Sequence, residues 1–462
     1  MKVVFKFLFR NSFLEAQAMN RTNVLVAFWF VFIFLLFSID TFAQQSDFVV
    51  VRNHQFYLND KPYYFIGTNY WYGTLLGLEK DPKKGIKRLE RELDFLKASG
   101  VTNLRIMAGA EGSGLINGVS RVAPPLQPEP GKFNENVLDG LDLILAEMGK
   151  RKMKAVVFLS NNWEWSGGFE QYLIWNNQVP DSMKTRKLTW DEQRDIVSQF
   201  YACAPCKENY NKQVNLILNR INKYNQKKYV EESAVMAWEL ANEPRPMRPS
   251  ANNFYKKWIA EVSAMIKAKD KNHLVTIGHE GLMGTEDLKL YEDINADKNL
   301  DYLTIHIWAK NWGWFEDDKL AAGFPNVLEK AAGYINQHLA VAEKLNKPFV
   351  IEEFGLPRDK QSFNVNSSTS LRDDYYNRIF SILVAQAKTN GHLAGAAFWA
   401  FGGTARPVKN QIFWKKGDDY MGDPPMEEQG LNTVFDSDRS TWKIINSFSQ
   451  DLIIDRLDKK NQ

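Results

Sequence analysis

The chain alternates two kinds of hydrophobic pattern. Short β-rich runs, several of them continuously apolar, alternate with longer stretches that return an apolar residue every three or four positions. The short runs lie at 63–69, 101–107, 153–160, 235–240, 274–278, 302–307, 349–353 and 394–401. Their length, and the continuous apolarity of several, predict strands covered on both faces, as in a parallel sheet enclosed by helices. Residues 85–99 carry Ile86, Leu89, Leu93 and Leu96 on one helical face and stop at Gly100. Residues 137–150 do the same with Leu138, Leu141, Ile144, Leu145 and Met148. Further helices are predicted over 210–224, 253–270, 327–344 and 371–389, with a loop-rich stretch after the third strand. Eight such strands, mostly separated by helices, predict a single α/β domain, a (β/α)8 barrel with elaborated βα loops over residues 46–455. A doubly wound sheet is the alternative, but no glycine-rich phosphate loop follows any strand.

The amino terminus departs from this pattern. Residues 24–37 are continuously apolar, with Arg21 just before them and Thr41-Phe42-Ala43 just after. Fourteen residues fall short of the roughly 20 that span a bilayer, so 1–43 is expected to be a secretory signal cleaved near Ala43. The protein is then expected outside the cytoplasm, extracellular or periplasmic, without a membrane attachment after cleavage. An uncleaved anchor is the alternative.

Charge adds an exclusion. Lys and Arg total 58 against 55 Asp and Glu, a net +3, which offers no field for nucleic acid and suits a neutral polysaccharide. The 14 Trp, 17 Tyr and 30 Phe exceed core needs where Trp stands beside Gly, Asn and Glu in apparent loops, so a binding surface is expected as well. The two cysteines, Cys203 and Cys206, are too few for a disulfide framework and lack metal-ligand company; a surface loop with or without a local bridge is expected. A monomer is expected.

In a barrel of this kind chemistry sits at the carboxyl ends of the strands. Those ends read Asn69-Tyr70-Trp71-Tyr72, Arg105, Asn161-Asn162-Trp163, Asn242-Glu243-Pro244, His279-Glu280, His306 with Trp308, Glu352-Glu353-Phe354-Gly355, and Trp399. Carboxylates, Asn, His and Trp converge, whereas metal-ligand clusters and exposed Ser or Cys nucleophiles do not. Two carboxylates in an aromatic cleft are the minimum for glycoside hydrolysis, one to protonate the leaving oxygen and one to attack the anomeric carbon or activate water. Strand alternation lets only one of Glu352 and Glu353 point inward, without saying which.

With Trp238-Glu239-Leu240-Ala241-Asn242-Glu243-Pro244, Glu352-Glu353-Phe354-Gly355, Leu104-Arg105, Gly67-Thr68-Asn69, Asn161-Asn162-Trp163 and His306 in this order, the chain resembles glycoside hydrolase family 5, most closely its β-mannanase branch. The resemblance implies Glu243 as acid/base, Glu353 as nucleophile and Arg105 as the cation beside Glu353. It also implies Asn242 on the sugar 2-hydroxyl, His306 positioning substrate or carboxylates, and Trp399 as the sugar platform. Trp71, Tyr72, Trp163, His279, Glu280 and Trp308 complete the expected substrate-binding set. No metal or cofactor is implied. Two departures stand out. Trp308 occupies a position where the family usually has Tyr, removing a hydroxyl that would bond the nucleophile. The order Asn69-Tyr70-Trp71-Tyr72 also differs from the commoner Asn-x-Tyr-Trp. The activity implied is that of a retaining endo-β-1,4-mannanase on mannan, glucomannan or galactomannan. The alternatives are an exo-acting β-mannosidase or β-glucanase of the same clan, with loops after strands three and eight closing the groove, and a non-catalytic carbohydrate-binding barrel.

Overall fold

The computed structural model describes residues 47–78, 81–316 and 319–458. The expected signal segment lies outside the described residues. Eight strands alternate with eight principal helices: β1 (Phe65–Asn69), α1 (Pro82–Ala98), β2 (Asn103–Met107), α2 (Glu135–Lys150), β3 (Lys154–Phe158), α3 (Ala204–Leu218), β4 (Val235–Glu239), α4 (Asn252–Lys269), β5 (Leu274–Thr276), α5 (Leu288–Asn295), β6 (Leu303–Ile307), α6 (Leu320–Leu345), β7 (Phe349–Phe354), α7 (Ser370–Lys388), β8 (Leu393–Phe398) and α8 (Arg439–Asp458).

The strands form one sheet in the order β5-β4-β3-β2-β1-β8-β7-β6, all paired in parallel. Its two outer strands are joined by single bonds: Asp301 N–H donates to the Val275 carbonyl at 2.8 Å and His306 N–H to the Glu280 carbonyl at 3.3 Å. His279 N–H adds a bond to Thr304 Oγ1 at 2.8 Å. The sheet thus curls into the expected (β/α)8 barrel. Every residue of the eight strands is buried, which is why they read as continuous apolar runs.

An antiparallel ribbon over Val50–Arg52, Gln55–Leu58 and Lys61–Pro62 precedes the barrel. Its Phe56 meets Phe65 and Tyr302, residues at the amino ends of β1 and β6, and so covers the floor of the barrel. At the other end the loops are long. The segment after β3 holds two helices, Gly168–Trp175 and Trp190–Val197, where the sequence pattern suggests loop. Cys203 and Cys206 are bridged at the start of α3, and the Cys203 sulfur caps that helix by accepting from Cys206 N–H. After β8 the chain makes an excursion over residues 404–433 before Val434–Phe435 pairs with Phe401–Gly403. Asp423 ties this excursion together by accepting from the N–H groups of Gly430 and Thr433 and from the Thr433 hydroxyl. No helix among the described residues is long and apolar enough to cross a membrane.

Candidate active site

The barrel mouth is organised around Arg105, near the middle of β2 and fully buried. A guanidinium has five N–H donors in a planar fork, and all are engaged. Nε and Nη2 grip the two oxygens of Glu239 at 2.8 and 2.6 Å. Nη2 also donates to Asn242 Oδ1 at 2.7 Å, and Nη1 to Asn69 Oδ1 at 3.0 Å and to Glu353 Oε1. One cation thereby fixes the ends of β1, β4 and β7 relative to each other. The clamp relies on a close backbone approach: at Gly278 (φ +83°) a Cβ would lie 2.0 Å from Glu239 Oε1.

Glu353 receives a second donor, the Trp308 indole N–H, at 3.0 Å to Oε2. Glu243 faces it from the loop after β4, where its backbone takes the left-handed φ of +51° that non-glycine residues seldom adopt. Glu243 N–H is held by the Gly278 carbonyl at 2.8 Å. Its Oε2 accepts from the Trp163 indole N–H, and its Oε1 lies 2.6 Å from His306 Nδ1. His306 Nδ1 is also 3.3 Å from Glu353 Oε2. One side-chain oxygen each of Glu243 and Glu353 and a ring nitrogen of His306 fall within 4.8 Å of one another. Burial pushes the Glu243 carboxyl up, with Arg245 and the Trp163 bond opposing. Burial pushes Glu353 up more strongly, opposed by Arg105 and reinforced by the charge of Glu243. Burial lowers His306 to about 4, so its ring is neutral near pH 7.

Comparison with known proteins decides what this constellation belongs to. Residues 46–456 match the model of the family 5 β-mannosidase-like glycoside hydrolases. The chain is 29% identical over 371 residues to mannan endo-1,4-beta-mannosidase 4 of Solanum lycopersicum, covering 77% of this chain and 83% of that protein. The crystal structure of a glycoside hydrolase family 5 mannosidase from Rhizomucor miehei aligns at TM-score 0.79 and 31% identity, over 89% of this chain and all of that one. Its E202A mutant in complex with mannosyl-fructose aligns at TM-score 0.80 over 90% of this chain and 99% of that one. The chain belongs to glycoside hydrolase family 5.

Within this family 5 glycoside hydrolase the structure sorts the sequence-derived residues. Glu243, Glu353, Arg105, Asn242, His306, Trp163 and Trp308 meet in one hydrogen-bonded set. Trp399 joins it through an edge-on contact with Trp308 at 5.7 Å. Glu280 clamps Arg245, whose guanidinium stacks over the Trp163 ring at 5.1 Å.

Three expected substrate contacts, Trp71, Tyr72 and His279, are buried outside this hydrogen-bonded set and packed against protein partners. The Trp71 indole N–H is spent on the Gly422 carbonyl at 2.8 Å, and its ring is covered by Trp165 and Tyr420. The Tyr72 hydroxyl donates to Glu92 at 3.2 Å while Arg88 lies over its ring. The His279 ring packs outward against Tyr255 and Tyr291, and its Nδ1 accepts from Gly281 N–H. For Trp71 and Tyr72 the physical reason is a polar partner supplied from the loop after β8 and from α1; for His279 it is the aromatic packing of Tyr255 and Tyr291.

The alternation argument also fails at β7. The register against β6 runs Ile305 to Ile351 and then His306 to Glu353, so Glu352 is an extra residue at a bulge. Both glutamates are consequently directed inward: Glu352 Oε2 is 3.8 Å from Arg105 Nε and 3.6 Å from His306 Nε2.

Sequence reasoning missed Trp190, which is 45% exposed and stands 6.3 Å from Trp163, with Arg245 stacked 5.5 Å from its ring. A signal was present, since Thr189 and Glu192 form a capping box that starts the helix carrying Trp190.

Proposed function

We propose that the protein hydrolyses β-1,4-mannosidic bonds of mannan, glucomannan or galactomannan with retention, through a covalent glycosyl-enzyme. The observation that carries this is the approach of Glu243 and Glu353, with an oxygen of each within 4.8 Å. A retaining pair needs a carboxyl separation of about 5–5.5 Å, whereas an inverting pair needs about 6.5–9.5 Å to admit water. Glu353, bonded directly to Arg105 and Trp308, is the nucleophile: both donors favour its anion. Glu243, bonded only to neutral donors, carries the one proton that two such close carboxyls share, and gives it to the leaving oxygen. It then takes a proton from the incoming water. Asn242 lies in the same network, where a sugar 2-hydroxyl would meet it, and Trp399 offers a ring beside Trp308 for the sugar being cleaved. The mannose preference rests on the tomato relative's name and on the mannosidase from Rhizomucor miehei. The amino-terminal pattern supports action outside the cytoplasm.

On where along the chain it cuts, one feature favours the exo over the endo reading. The excursion after β8 is tied to two other rim loops: the Tyr420 hydroxyl donates to the Ala123 carbonyl at 2.6 Å, and Lys310 pairs with Glu428 at 3.1 Å. Rim loops tied to one another in this way support a cleft that admits a chain end rather than one open at both ends. Proton NMR of the first turnovers on mannohexaose tests both points. The expected product is mannose, released as the β anomer. An α anomer first would defeat retention, and a ladder of mannobiose and mannotriose without mannose would defeat the chain-end reading.

A further inference from the structure

Glu352 is a buried carboxyl that the proposed mechanism does not use, and its surroundings raise a question of charge. Its neighbours are Arg105 from β2, Glu239 from β4, His306 from β6, and its own strand neighbour Glu353. Arg105 is the one permanent cation beside Glu352, and its five N–H groups are all spent on Glu239, Glu353, Asn69 and Asn242. None reaches Glu352. Both oxygens of Glu352 are buried without a hydrogen-bond partner, and so is His306 Nε2. These unpartnered atoms face each other, with Glu352 Oε2 3.6 Å from His306 Nε2. A closure of about half an ångström makes that a hydrogen bond. An ionised Glu352 would be a buried anion with no donor, next to Glu239 and Glu353, which already share the single charge of Arg105, and such a group takes up a proton instead.

We infer that Glu352 is a neutral, protonated acid whose O–H donates to His306 Nε2, holding the imidazole in the tautomer that turns its Nδ1–H toward Glu243 and Glu353. Burial and the charge of Glu239 push the Glu352 carboxyl up, against the opposing pull of Arg105 and His306, and a neutral imidazole is the acceptor such an acid requires. The other ionisable groups whose fields reach it, Tyr291 and Tyr302, are themselves held neutral by burial. Glu352 is thus a positioning residue, acting through His306. Its bulge on β7 is the device that turns a second glutamate into the barrel beside Glu353 without competing for Arg105.

This inference rests on the proposed glycosidase reading, and the test separates the two. Glu352→Leu removes the donor and lets the imidazole change tautomer. Glu352→Gln keeps a neutral donor of the same shape. On a nitrophenyl mannoside, Glu352→Leu is expected to lose about 30-fold in kcat with KM changed little, and Glu352→Gln to recover most of that loss with an unshifted pH profile. If Glu352→Gln falls as far as Glu352→Leu, or its acid limb moves by a full pH unit, Glu352 is ionised and the inference is overturned. An inactive wild type would instead sink the parent reading. Melting temperature then still reports on Glu352. The neutral form expects Glu352→Gln to match wild type between pH 5 and 8, and a drop of more than about 5 °C would contradict it.

Discussion

The two sides of the site use the same side chain in opposite surroundings. On the β7 side, Glu353 is gripped by a permanent cation, Arg105, and by the Trp308 indole. On the β4 side, Glu243 meets the Trp163 indole and the neutral His306, with Arg245 turned away to Glu280. Burial raises both carboxyls, Glu353 the more strongly, so burial does not account for an ionised Glu353 beside a protonated Glu243. What separates them is where the cation's donors point. An indole N–H is given to each side, a matched pair that leaves as the difference a cation bonded directly to Glu353, against Arg245, which reaches Glu243 only through its field. Trp308 also resolves the departure noted in the sequence: the missing tyrosine hydroxyl is replaced by an indole N–H that donates but neither accepts nor ionises.

The strongest way to break the comparison is to remove each carboxylate. Glu353→Gln is expected to lose about 10⁴-fold or more in kcat/KM on every mannoside, because no anion remains to attack. Glu243→Gln is expected to lose about 10²–10⁴-fold on oligosaccharides. It should lose far less in the burst of dinitrophenol from a dinitrophenyl mannoside, whose leaving group needs no proton. Stopped-flow release from the two variants distinguishes the roles; equal losses on the activated substrate would mean the assignment is wrong.

The matched indoles sharpen the comparison at the next scale. Each N–H bond stabilises the anion of its carboxylate, so its loss raises that group's pKa by about one unit, worth about 1.4 kcal/mol. The signs follow from the roles. Glu353 must be ionised, so Trp308→Phe moves the acid limb of the kcat/KM profile up by about one pH unit and narrows the bell. Glu243 must be protonated, so Trp163→Phe moves the alkaline limb up by a similar amount and widens it. Trp308→Tyr, which restores a donor, is expected to return the acid limb. If both phenylalanine variants moved the same limb, the division of labour would be refuted.

What the sequence could and could not convey follows from the same physics. The eight strands were legible because each is buried on both faces, and Glu243 and Glu353 because both lie in motifs at strand ends. Side-chain direction was not legible. Period-two alternation assumes an unbroken ladder, and the bulge at His306 and Glu353 breaks it, admitting Glu352 beside its neighbour. Trp71 and Tyr72 sit just past β1 as a sugar platform would. Whether they turn to the cleft or the wall depends on Gly422 and Glu92, which supply their polar partners from far along the chain in one case and from α1 in the other. Long-range partners of this kind leave no periodic trace.

The same limit hid Trp190, which bears on the smallest expected effect. In the proposed mechanism Glu243 protonates the leaving oxygen, so the surface beyond it would meet the leaving sugar. Trp163 starts that surface at Glu243, Arg245 stacks on Trp163, and Trp190 lies 5.5 Å from Arg245 with nearly half its surface open. Arg245 is locked by Glu280, so the stack is rigid before substrate arrives, and a preformed aromatic face binds without an ordering cost. Loss of one such ring contact costs about 0.5–1.5 kcal/mol. Trp190→Ala is therefore expected to raise KM for mannotetraose about threefold to tenfold, with a smaller rise for a nitrophenyl mannoside, whose leaving group is too short to reach beyond Trp163. Equal rises on both substrates would mean that Trp190 supports Trp163 rather than touching sugar, and the leaving side would then end at the indole that bonds Glu243.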